Sequence, residues 1–101
     1  MVLVEILLPL LDNERKPFRQ EMFEQVRDEL AKRFGGVTAF RRSPAEGVWR
    51  EGGEVKSDEV VIYEVMTDSL DRAWWAGYRQ DLEGRFRQEA IVIRASQIER
   101  L

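Results

Sequence analysis

Cysteine and histidine are both absent from the 101 residues. That excludes disulfides, thiol nucleophiles, zinc sites of the Cys/His type and any histidine-based triad. Proline occurs only three times, and no linker or low-complexity stretch divides the chain, so residues 1–101 are expected to form one domain around one core. Neither sign of charge dominates: sixteen Lys and Arg against nineteen Asp and Glu leave a formal charge of -3. Such a weakly acidic chain is a poor starting point for nucleic-acid binding. The most apolar stretch, Met1 to Leu11, is broken by Glu5 and Pro9. It is too short to span a bilayer and has neither the positive flank nor the small-residue cleavage site of an export signal. No membrane partner is expected, and the cytoplasm is the expected location. What is present, 44% hydrophobic and 35% charged residues, suits a globular fold with a heavily charged surface.

Val2 to Leu8 is rich in β-formers on both of its alternating faces, as in a central strand covered on two sides. Pro17 suits the first turn of a helix, and Phe18, Met22, Phe23, Val26, Leu30 and Phe34 then recur at helical spacing. Asp28–Lys32 and Glu29–Arg33 are i,i+4 pairs in the favourable order, and Gly35-Gly36 ends the helix. Val37 to Arg42 reads as a second strand, followed by a bend at Ser43 to Gly47. Val48 to Glu51 continues it to a hairpin turn at Gly52-Gly53. Glu59 to Met66 carries the longest β signal. Asp68 is a candidate N-cap for a second helix bearing Leu70, Trp74, Trp75, Tyr78, Leu82 and Phe86 on one side. Gly77 inside that helix points to a close approach to the sheet, and Gly84 to a local helix end. Ile91 to Ile93 is the last strand. The order β-α-β-β-α-β, with Leu30-x-x-Arg33-Phe34 echoed by Leu82-x-x-Arg85-Phe86, predicts an α+β, ferredoxin-like sandwich. Its four-stranded antiparallel sheet has the order 4-1-3-2, with two helices on one face.

In that fold the helices leave one sheet face bare. It is expected to carry Leu3, Glu5 and Leu7, then Val60, Ile62, Glu64 and Met66, then Val92 and Arg94. So apolar a face is unusual on a monomer, and a second copy is the expected cover. Leu3, Leu7, Ile62, Met66 and Val92 are its interface candidates. Glu5, Glu64 and Arg94 fall across adjacent strands, with Arg41 or Arg42 at the far edge. Two readings stay open. The preferred one is a cross-strand charge ladder that sets dimer register. The other is a pocket for a small anionic molecule, with Arg94 and Arg42 as anion anchors, Glu5 or Glu64 as base, and Tyr63 or Trp49 as its wall. No cofactor and no metal are expected. Asp12, Asn13 and Glu14 lack the spacing of a calcium loop, and Gly52-Gly53 precedes no helix that could hold a phosphate.

With this architecture the chain resembles the dimeric α/β-barrel group of ferredoxin-like proteins. It is closest to uncharacterised bacterial families in it, through Phe34-Gly35-Gly36-Val37-Thr38 and Gly47-Val48-Trp49. The resemblance implies two sheets packed face to face in a homodimer, in a group whose enzymes include cofactor-independent monooxygenases and isomerases. Many of its catalytic members depend on a histidine, which this chain lacks, and no catalytic residue carries over. An assembly and binding protein is therefore the first expectation, and a cofactor-independent enzyme the alternative.

Overall fold

Strand β1 (Val2–Pro9) alternates buried and half-buried residues along its whole length, because Val2, Val4, Ile6 and Leu8 share the face that the helices cover. The computed structural model describes residues 1–42, 48–51, 54–57 and 59–101, with side chains described for 1–40 and 59–101. The other elements are α1 (Gln20–Phe34), β2 (Thr38–Arg42), β3 (Val48–Glu51), β4 (Glu54–Ser57), β5 (Val60–Thr67), α2 (Arg72–Arg85) and β6 (Val92–Gln97). The main sheet runs β2-β5-β1-β6, all neighbours antiparallel. This is the predicted ferredoxin-like order read from the other edge. One departure concerns β3, which does not extend β2. It pairs instead with β4, Val48 opposite Ser57 and Glu51 opposite Glu54, as a separate two-stranded sheet. The expected bend at 43–47 and turn at 52–53 lie outside the described residues.

The core lies between one sheet face and the two helices. Val26 and Leu30 from α1 and Trp75, Tyr78 and Leu82 from α2 meet Val61, Tyr63 and Val65 of β5. Phe34 stacks on Trp75 with centroids 5.2 Å apart, and Trp74 stacks on Tyr78 at 4.9 Å. Gly35 ends α1 at φ 80°, a left-handed conformation that glycine adopts without a Cβ penalty.

Four local expectations are corrected. Pro17 bridges Leu11 instead of opening the helix, because Asp12 closes the intervening loop. Its carboxylate accepts the N–H groups of Glu14 and Lys16, each at 2.8 Å. The N-cap of α2 is Asp71, not Asp68, and its carboxylate accepts the Trp74 N–H at 3.0 Å. A Cβ added at Gly77 would meet nothing within 4 Å, so no close helix–sheet approach explains that glycine. The i,i+4 pairs on α1 give way to other partners. Glu29 takes Arg85 of α2 in a bidentate pair at 2.7 and 2.9 Å, Arg33 reaches Asp71 at 3.7 Å, and Asp28 holds its neighbour Arg27 at 3.1 Å. Arg85 also grips Asp81 at 2.7 Å, and the Tyr78 hydroxyl donates to Glu29 at 3.0 Å. Arg85 accordingly holds the Asp81 carboxyl below its usual range, while burial and then the bond to Glu29 push the Tyr78 phenol up.

Candidate functional site

Strand register turns the outer sheet face into ordered rows. Thr38 on β2, Glu64 on β5, Glu5 on β1 and Arg94 on β6 stand side by side in one row across all four strands. The adjacent row is apolar: Phe40, Ile62, Leu7 and Val92. On the other side Met66, Leu3 and Ser96 follow. The period of two along each strand puts these residues on one face, and antiparallel pairing brings them level.

Within the charged row Arg94 Nε donates to Glu5 Oε1 at 3.1 Å. The Arg94 side chain is 54% exposed and that of Glu5 only 19%, so the pair is half-solvated and contributes roughly 0.2–1 kcal/mol. Glu64, on the other flank of Glu5, makes no ion pair among the described residues. Burial, then the charge of Glu5, then a hydrogen bond to Glu5 raise its proton affinity above the ordinary carboxyl value. The row therefore has an acidic interior and a basic end. Chemically it can hold a proton between two carboxylates, or accept a second cation at Glu64.

Because Glu64 binds its proton more tightly in the folded chain than in the unfolded one, it lowers stability as pH rises from the ordinary carboxyl range through its folded pKa. In the single chain, at a dilution where copies do not associate, Glu64→Gln is expected to raise the unfolding free energy at pH 7 by roughly 0.2–1 kcal/mol, the range for cross-strand pairs. The gain shrinks toward zero as pH falls below about 4. Urea denaturation of both chains at pH 7 and pH 4 measures it, and an equal difference at both pH values would contradict this account.

The structure brings together Glu5, Glu64 and Arg94, but not every candidate joins them. Tyr63 is buried in the core on the opposite sheet face, and its hydroxyl donates to the Phe23 carbonyl at 3.2 Å. It cannot wall a pocket at the row. The alternation in β5 already carried that signal, since Tyr63 shares its face with Val61 and Val65. Trp49 lies on β3, opposite Lys56, in the separate two-stranded sheet. Arg42 is level with Val60 and Arg41 with Val61. The side chains of all three lie outside the described residues. Among the interface candidates, Met66 and Val92 are 49% and 53% exposed, and Leu3 and Leu7 are half-buried. Ile62 departs from expectation: it is only 2% exposed within the single chain, so it offers no contact area to a second copy.

One feature on the helix side went unread in the sequence: a groove between α2 and β6 with Arg72 and Arg79 among its lining residues. The seven-residue spacing of these arginines on one helix was visible. The strand they lie beside was not, because that depends on how α2 crosses the sheet.

No family model matches the chain, and no curated protein matches it. Among solved structures it is similar to a phage SAM lyase in the apo state, with a TM-score of 0.62 and 16% identity, over 94% of this chain and 78% of that one. It is similar to a phage SAM lyase in complex with S-methyl-5'-thioadenosine, with a TM-score of 0.58 and 18% identity over 95% and 80% of the two chains. A mutant of CutA1 from Pyrococcus horikoshii OT3 aligns with a TM-score of 0.60 and 14% identity, over 100% and 86%. At these identities the likeness is one of fold: the chain has a small α+β, ferredoxin-like architecture.

Proposed function

We propose that this protein is a homodimer closed through the outer face of its sheet, an assembly and binding protein in which the row Glu64–Glu5–Arg94 sets the register of the two copies. The observation that supports it is the composition of that face. Exposed Met66 and Val92 and half-buried Leu3, Leu7 and Phe40 flank a row that is acidic inside and basic at one end. A two-fold axis along β1 would set the partner's Arg94 against Glu64 and give the carboxyl pair its second cation. The apolar rows would pack together at the usual separation of about 10 Å between sheets. An anion pocket at the row is the weaker reading, because the Arg94 guanidinium is already engaged by Glu5. The same proposal places residues 1–101 in one domain of the dimeric α/β-barrel group, in the cytoplasm and without a nucleic-acid partner. Among the described residues, no helix is long and apolar enough to cross a membrane.

Light scattering at micromolar concentration is expected to give twice the chain mass. Val92→Lys, at an exposed position, is expected to leave the circular dichroism spectrum intact and return the single-chain mass, because a buried unpaired ammonium costs a dimer several kcal/mol. A wild-type chain that stays monomeric while folded would refute the dimer.

The carboxyl pair favours a second reading, a cofactor-independent enzyme with Glu5 or Glu64 as base. Two of the solved neighbours are lyases by name. On that reading Glu64→Gln abolishes turnover without changing mass or fold, whereas on the ladder reading it removes the ion pair with the partner's Arg94 and weakens dimerisation.

A further inference from the structure

The helix side of the sheet carries a groove of about 400 Å³ between α2 and the edge strand β6, within the size range of small-molecule sites. Its accessible wall mixes polar atoms with an apolar strip of Leu70, Ala76, Ile93 and Ala95, which lies over buried Val2, Val4 and Trp75. Arg72 and Arg79 stand two turns apart on α2, about 10 Å along its axis, with Trp75 and Ala76 between them. Among the described residues, no Asp or Glu lines the groove.

The two arginines are differently engaged. Arg79 lies 3.7 Å from Glu83, a carboxylate that also accepts the Ile91 N–H at 3.1 Å. Arg79 is thus tethered toward β6. Arg72 is exposed and has no carboxylate at ion-pair distance among the described residues. Arg94 also borders the groove, but its guanidinium is turned to Glu5. The net charge of the described lining is therefore positive, and it comes chiefly from Arg72.

We infer that this groove binds a small anion with a flat apolar body, of the aryl carboxylate class, with the ring over Ala76 and Ile93 and the carboxylate on Arg72. An unpaired guanidinium beside an exposed apolar strip matches both parts of such a molecule, since its planar fork takes a carboxylate in two parallel hydrogen bonds. A neutral apolar ligand would leave that charge unused. The inference does not depend on dimerisation through the outer face, which leaves the helix side open.

The test is an NMR titration of the ¹⁵N-labelled protein with 2-naphthoate, with neutral 2-naphthamide as the control. Saturable shifts at the Trp75 indole N–H and the β6 amides are expected, at one site per chain. The amide is expected to bind about tenfold more weakly or worse, and added salt to weaken only the acid. Arg72→Gln, at an exposed position, is expected to keep the wild-type melting temperature and lose about tenfold in affinity for 2-naphthoate, the effect of removing a charge-assisted pair. Equal binding of acid and amide would overturn the inference, as would an unchanged affinity in Arg72→Gln. So would groove signals that ignore 2-naphthoate up to about 10 mM, a concentration well above a millimolar Kd, including the case where they respond only to protein concentration because a second copy occupies the β6 edge.

Discussion

Phe86→Ala is expected to lower the unfolding free energy by about 3–5 kcal/mol. The ring is fully buried at the end of α2, with centroids 5.0 Å from Phe18 and 5.5 Å from Phe23. Phe18 precedes α1 and Phe23 lies within it, so this one side chain joins the end of one helix to the start of the other. Removing it loses the transfer free energy of a ring and leaves a cavity that the fixed backbone around it cannot close. A domain of this size has about 5–15 kcal/mol in total, so the variant should unfold at much lower urea with its denaturant slope unchanged. A loss below about 1 kcal/mol would mean that the three rings do not form a sealed cluster.

Ile62→Asp is expected to be of similar severity, through the fold itself. Ile62 lies on the outer sheet face between Leu7 and Phe40, yet it is buried within the single chain. A carboxylate there would be desolvated among apolar neighbours, at a cost of several kcal/mol. Because burial favours the neutral acid, the introduced group should bind its proton more tightly when folded, and the loss should lessen as pH falls. Circular dichroism at pH 7 and pH 4 is expected to show a largely unfolded chain at the higher pH and partial recovery at the lower. Val92→Lys differs because its position is exposed: it should change mass and keep the fold. An Ile62→Asp chain that is folded at pH 7 and merely monomeric would show that Ile62 is covered by the second copy instead.

Patterns that repeat within a few residues were legible in the sequence. The alternation in Val2 to Leu8 and in Val60 to Met66 separated the two sheet faces. With the strand order it put Glu5, Glu64 and Arg94 in one row, where they stand. The helical spacing from Phe18 to Phe34 and from Leu70 to Phe86 picked out the core side of each helix, and Gly35 marked the end of α1. A strand has only two faces and a helix turns by a fixed angle, so position along the chain is enough for such assignments.

Partners supplied by distant residues were decided only by the tertiary structure. Glu29 had Arg33 within reach on its own helix, yet it holds Arg85, 56 residues away, because the two helices lie side by side and a bidentate grip is stronger than an exposed i,i+4 pair. Pro17, read as a helix start, was drawn into a bridge with Leu11 by the loop that Asp12 closes. Glu64 binds its proton more tightly than an ordinary carboxyl chiefly because the fold buries it, and then because antiparallel pairing sets it level with Glu5 of another strand. The groove under Arg72 exists because α2 crosses the sheet beside β6, an angle that comes from packing whole faces together and that no local pattern encodes.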